Sequence, residues 1–132
     1  MASFARINKN TNKVEQVIAV SNSDCGGGDF PQSEPIGQHF INDILNLEGR
    51  WLQTSYNGTF RHRLAGIEGS YDPDRDVFLP PKRFNSWLLD EKTLDWIPPV
   101  PYPDDGKYYV WNEDKVNWEE VIIEEPKEIV EE

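Results

Sequence analysis

Apolar residues in this chain fall in short β-branched or aromatic runs separated by polar, turn-forming stretches, the pattern of a mainly β protein. Phe4-Ala5-Arg6-Ile7 and Val14 to Val20 flank the polar Asn8-Lys9-Asn10-Thr11-Asn12-Lys13, which predicts an N-terminal hairpin. The Gly-rich Asp24-Cys25-Gly26-Gly27-Gly28-Asp29 carries no periodicity and reads as a loop. A single amphipathic helix is predicted next. Ser33 is placed to cap it, Pro35 sits in its first turn, Ile36, Phe40, Ile41, Ile44 and Leu45 recur at helical spacing, and Gly49 ends the run. Beyond it, Trp51 to Tyr56 and Thr59 to Leu64 flank Asn57-Gly58, a dipeptide suited to the positive φ angles of a type I′ turn, so a second hairpin is expected there.

The second half repeats one theme at intervals of about 20 residues. Tyr71 and Phe78 enclose Asp72-Pro73-Asp74-Arg75-Asp76, Trp87 and Trp96 enclose Asp90-Glu91-Lys92-Thr93, and Trp111 and Trp118 enclose Asn112-Glu113-Asp114-Lys115. The first two units run out into Phe78-Leu79-Pro80-Pro81 and Trp96-Ile97-Pro98-Pro99. A proline pair cannot continue a sheet interior, so three short hairpins on extended connectors are expected. The organisation read from these patterns is a hairpin, helix and Asn-Gly hairpin region over 1–70, Trp/Pro-rich hairpins over 71–121 packed with it as one domain, and an acidic tail over 122–132.

Composition narrows the functional classes. A chain of 132 residues can bury roughly two thirds of its unfolded surface in one core, and its 5 Trp, 5 Tyr and 6 Phe argue for a folded, loop-rich protein over a disordered one. Lys plus Arg number 13 and Asp plus Glu 24, a net charge of −11. Residues 1–65 hold six basic and six acidic groups, so the whole excess belongs to residues 66–132. Such a charge repels nucleic acid and anionic lipid, and neither is expected as a partner. No apolar run reaches the roughly 20 residues of a membrane span, and Met1 to Ile7 lacks the order of a signal peptide. With Cys25 alone, an internal disulfide is impossible.

Candidate chemistry is sparse. Asp72, Asp74 and Asp76 open like a calcium loop, but its sixth position is Val77 in place of Gly and its twelfth is Arg83 in place of Glu, so the run reads as a solvated turn. His39 and His62 have no ligand-spaced partners, Cys25 has no catalytic signature around it, and neither Gly26-Gly27-Gly28 nor Gly66-Ile67-Glu68-Gly69 precedes the Lys of a phosphate loop. No enzyme, metal or cofactor is expected. Binding features remain. Arg50, Arg61 and Arg63 form a local excess of positive charge, and Arg61 and Arg63 on one strand would share a face, either receiving the acidic half of a neighbouring copy or serving as an ordinary charged surface. Trp87, Trp96, Trp111 and Trp118 are either the core of small hairpins or anchors for a protein or sugar partner. Pro98-Pro99-Val100-Pro101-Tyr102-Pro103 is either a stiff spacer or a ligand for a proline-recognising domain.

Ser55 to Arg61, Leu64-Ala65-Gly66-Ile67, Tyr71-Asp72, Asp76 to Pro81, Asn85-Ser86-Trp87, Trp96 to Val100 and Asp105-Gly106-Lys107 together resemble a family of small proteins in tailed phages of marine bacteria, particularly cyanophages. The resemblance runs from Met1 to about Val121. The chain departs from the family pattern with Leu64 and Glu68, where an aromatic and a small residue are expected, and with a longer Glu-rich end. The resemblance implies a virion structural protein and no catalytic residues. The expected role is therefore non-enzymatic: capsid decoration or a tail accessory component, with other virion proteins and copies of itself as partners. The alternatives are a host-surface or carbohydrate-binding module of a tail fibre, and a tail-fibre assembly factor absent from the finished particle.

Overall fold

The computed structural model describes residues 1–124; the acidic tail expected over 122–132 lies outside the described residues from position 125 onward. The architecture is mainly β, with antiparallel pairing throughout and one helical segment. The chain divides into two compact units, Met1–Lys82 and Arg83–Glu132. The first aromatic hairpin therefore belongs with the N-terminal elements, and the other two form the second unit.

In the first unit, β1 (Ala2–Ile7) and β2 (Val14–Val20) form the expected N-terminal hairpin, and β3 (Arg50–Thr54) pairs with the other edge of β1, giving the order β2-β1-β3. The register sets Phe4 opposite Ile18 and Gln53, and Ala5 opposite Val17 and Leu52. Because side chains alternate along a strand, this short sheet has two apolar faces. One buries Phe4, Val20, Cys25, Ile41 and Trp51. The other buries Ala5, Ile7, Val14, Leu52, Ala65, Tyr71 and Phe78, the last two from the hairpin of β4 (Ser70–Asp72) and β5 (Val77–Leu79). Neither face is left to water, which explains why β1 reads as almost continuously apolar.

The helix α1 spans Ser33–His39 and widens into a π-helical turn over Phe40–Ile44. Its buried side departs in part from the stripe predicted above: Ile41 is buried and Phe40 packs beside it as expected, but the other positions differ. Ser33, Gly37 and Ile41, at spacings of four, face the sheet, whereas Ile36, Ile44 and Leu45 are 47%, 60% and 45% exposed. The reason is proximity. A Cβ on Gly37 would lie 2.2 Å from Phe4 Cζ, so only the smallest residue allows the helix to approach this closely. The extra residue in the π turn, whose Leu45 amide bonds the Phe40 carbonyl, rotates the positions that follow away from the sheet. Ser33 is no cap either. It lies inside the helix, is buried, and its hydroxyl donates to Gln53 Oε1 at 2.7 Å. The Gly-rich stretch also holds more structure than a loop: Asn22–Cys25 is a 3-10 turn capped by Ser21 and closed by Gly26 at φ 82°.

The Asn57-Gly58 hairpin does not form. Gly58 closes a tight turn, its amide bonding the Ser55 carbonyl at 3.0 Å, but residues 59–64 are not a strand. Arg61 and His62 instead take left-handed conformations, φ 53° and 73°, and β3 pairs with β1. Arg61 and Arg63 thus share no strand face.

The second unit contains β6 (Leu88–Leu89) paired with β7 (Trp96–Ile97), and β8 (Tyr108–Asn112) paired with β9 (Asn117–Val121). With β4-β5, these are the three hairpins that the repeat predicts. No described residue from 83 onward is fully buried.

The close approach at Gly37 makes a stability prediction. Gly37→Ala should destabilise the first unit by about 2 kcal/mol through overpacking against Phe4, while Ile36→Ala one position earlier should cost under about 0.5 kcal/mol. Denaturant unfolding of the two variants checks the difference.

Candidate functional site

Two side-chain assemblies carry the chemistry of the chain, one in each unit. In the first, the turn after Gly58 aims Arg61 inward. Its Nε donates to Asp76 Oδ1 at 2.8 Å, its Nη1 to the Gln53 carbonyl at 2.8 Å and to Glu34 Oε2, and its Nη2 to Glu34 Oε1 at 3.2 Å. The guanidinium lies 5.0 Å from the centroid of the Phe30 ring and 5.9 Å from that of Tyr71. Phe30 in turn stacks on Phe60, with centroids 3.9 Å apart. Only 9% of the Arg61 side chain is exposed. The same group finishes the open edge of β3: Glu34 accepts the Gln53 amide at 2.8 Å, Gln38 Nε2 donates to the Trp51 carbonyl at 2.7 Å, and Arg61 covers the Gln53 carbonyl.

Arg50 also turns to this region. It bonds Asn12 Oδ1 at 3.1 Å and lies 5.4 Å from the Tyr71 ring centroid, so Arg50 and Arg61 converge on one tyrosine. Arg63 is half-buried and its amide bonds the Arg61 carbonyl at 2.9 Å. Two of the three arginines predicted to meet a partner are therefore brought together, but as ties within the chain. Neighbouring groups respond. Burial, the hydrogen bond to Asp76 and the charge of Asp76 push the Tyr71 hydroxyl up to about 12, against the opposing pull of the two arginines. The hydrogen bond from Tyr71, then Arg61, holds the Asp76 carboxyl below its usual range despite some burial.

In the second unit, aromatic rings do the work of a core. Trp111 and Trp118 face each other across β8-β9 with centroids 5.2 Å apart, and Trp87 meets Trp111 edge-on at 5.9 Å. Phe84 packs on Trp87 and Trp111, and Tyr102 on Trp118 at 4.9 Å. Polar ties hold the rings in place. Glu113 accepts from Ser86 Oγ at 2.5 Å, from the Ser86 amide at 3.0 Å and from Trp111 Nε1 at 2.9 Å. Trp118 Nε1 donates to the Val100 carbonyl at 2.8 Å, and Tyr102 Oη accepts the Tyr109 amide. Three of the four predicted tryptophans thus meet in one cluster, and Trp96 stands on β7 opposite Leu89. A cleft of about 300 Å³ opens beside them, lined by Arg83, Phe84, Trp87, Val110, Trp111 and Trp118.

Groups with catalytic or metal-binding potential are placed elsewhere and engaged. Asp72 accepts from the amides of Asp74 and Arg75 and from Arg75 Nη1. His39 pairs with Asp43 on an exposed helix turn. Cys25 is buried, and burial and the Asp24 charge push its thiol up, away from the reactive thiolate. Among the described residues no group of three His, Cys, Asp or Glu is placed to hold a metal ion, and no helix is long and apolar enough to cross a membrane. A larger depression of about 440 Å³, beside Asn8, Lys13, Glu15 and Glu68, is an open turn surface with no such group either.

Comparison with protein families, with curated proteins and with solved structures finds no match to this chain.

Sequence reasoning did not find Glu34, Gln53, Tyr71 and Asp76 around Arg61, nor Phe84, Tyr102 and Glu113 around the tryptophans. The aromatic pair Phe84 and Trp87 beside Ser86 was the available signal for the second group; the first is joined only through tertiary structure.

The Asp76-Tyr71-Arg61 network sets a pH window. A carboxylate with a lowered folded pKa stabilises above its unfolded value and loses that contribution on acidification, and a tyrosine with a raised one loses it on alkalinisation. The first unit should therefore weaken below about pH 4 and again above about pH 10, where Tyr71 begins to ionise in the unfolded chain. Denaturation midpoints followed on amide resonances of β1 check this, with the alkaline limb flattened in Tyr71→Phe.

Proposed function

We propose that the chain is a non-enzymatic structural protein of a tailed-phage virion, a capsid decoration protein or a tail accessory component, made in the host cytoplasm and carried in the particle. The observation that supports this most is the surface of the hairpins in the second unit. Leu88 and Ile97 face each other across β6-β7 and are 60% and 42% exposed. Across β8-β9, Tyr108 and Val121 pair at 62% and 37% exposure, with Val110 beside them at 52%. Paired apolar residues on short hairpins offer flat, shallow contact area, which suits docking against an assembled lattice. The resemblance of Asp76 to Pro81, Asn85-Ser86-Trp87 and Trp96 to Val100 to a family of small proteins of marine tailed phages, mostly unassigned or called virion structural proteins, supports the same reading.

Under this reading the arginines are not the docking residues. Arg61 is spent on Glu34, Asp76 and Gln53, so its release to a partner would break the first unit. Under this proposal the contact is made by the hairpin faces, and the acidic side chains around them, Glu119 and Glu120 among them, set its preference for a basic partner surface.

Quantitative mass spectrometry of purified particles of the encoding phage should find the chain in fixed ratio to the major capsid protein. Hundreds of copies would assign it to the capsid lattice and a dozen or fewer to the tail or a vertex, since virion symmetry fixes copy number. Its absence from particles would overturn the proposal in favour of the assembly factor.

A further inference from the structure

The Trp118 indole has two different surroundings. On one side stands the chain's own segment Pro98-Pro99-Val100-Pro101-Tyr102-Pro103, held by the bond from Trp118 Nε1 to the Val100 carbonyl at 2.8 Å and by the Tyr102 ring at 4.9 Å. An indole N–H bonded to a carbonyl of a proline-containing segment, here one that bends at Pro99-Val100, with aromatic rings against it, uses the same donor and acceptor by which proline-rich ligands are recognised. On the other side Trp118 lines the open cleft with Phe84, Trp87, Trp111, Val110 and Arg83.

We propose that this cleft is a binding site for a second proline-rich peptide segment, one that carries an acidic residue. Three features point to that ligand. First, the cleft presents faces and edges of aromatic rings within a cluster that already takes one such segment. Secondly, Trp87 Nε1 is enclosed with no hydrogen-bond partner among the described residues, a standing cost that a peptide carbonyl would remove. Binding requires the indole to turn its enclosed N–H toward that carbonyl; the prolines of such a peptide lack amide donors, so it offers mainly acceptors. Thirdly, Arg83 is the only arginine from position 83 onward, in a strongly acidic half of the chain, and it is exposed at this cleft. A carboxylate at one end of the peptide answers it. A sugar fits less well: Trp111 Nε1 and Trp118 Nε1 are committed to Glu113 and Val100, which leaves few polar groups to fix hydroxyls. The site stands apart from the virion proposal, because absence of the chain from particles would leave peptide binding untouched.

The test is a titration of the ¹⁵N-labelled full chain with a synthetic peptide of the sequence of residues 98–105, Pro-Pro-Val-Pro-Tyr-Pro-Asp-Asp. The expected result is a saturable shift of the Trp87 indole N–H resonance, with affinity reduced about tenfold in Trp87→Phe, which keeps a ring and loses the donor. Arg83→Ala, at an exposed position, should weaken binding severalfold, and added salt should weaken the parent to the same extent. Four results would overturn the proposal: no saturation up to about 1 mM peptide; equal affinity in the parent and both variants; a shift confined to the Trp118 indole, which reports exchange of the chain's own segment; or saturable binding of maltohexaose with none of the peptide.

Discussion

The guanidinium of Arg61 is the point on which the first unit closes. It joins three elements that are far apart in sequence: the helix through Glu34, the edge of β3 through the Gln53 carbonyl, and the β4-β5 hairpin through Asp76. A buried charge is tolerated only when its hydrogen-bonding capacity is met, and here two carboxylates and a carbonyl meet it. The backbone shows the strength of that demand. Arg61 and His62 both hold left-handed angles, which cost non-glycine residues about 1–3 kcal/mol each and persist only where the surroundings enforce them. The same contacts finish the open edge of β3, which would otherwise present unpaired amides and carbonyls to another strand.

The two units solve the problem of small size differently. The first makes a three-stranded sheet serve two cores, with α1 packed close over Gly37 on one face and β4-β5 on the other. The second has no fully buried described residue and relies on edge-to-face aromatic contacts, on Glu113 gathering Ser86 and Trp111, and on the proline-rich segment held by Trp118. Aromatic pairs of this kind contribute beyond the area they bury, which suits hairpins too short to build an apolar interior.

Much of this architecture was legible in the chain. Local alternation and turn chemistry predict β1-β2, and the recurring aromatic, acidic turn, aromatic pattern predicts β4-β5, β6-β7 and β8-β9. The reading failed where tertiary contacts override local preference. The turn forms one residue early, centred on Tyr56-Asn57, β3 pairs with β1, and Arg61 draws the returning segment inward. Helical spacing marks Ile36 and Ile44 as a core stripe, yet the sheet-facing side is set by how close Phe4 comes, and that favours Ser33 and Gly37. Candidate residues show the same division. Trp87, Trp111 and Trp118 do assemble, whereas the charge of Arg61 gives no local hint that its partners lie 27 and 15 positions away.

The dependence of the first unit on this one cation is best measured by a double-mutant cycle between Arg61→Met and Glu34→Gln, both of which keep side-chain length. Denaturant unfolding should show each single variant destabilised and a coupling energy of at least about 1 kcal/mol, as expected for directly bonded, largely buried partners. A coupling near zero would mean that the Arg61–Glu34 pair does not tie the helix to β3 and the hairpin, and would contradict the account.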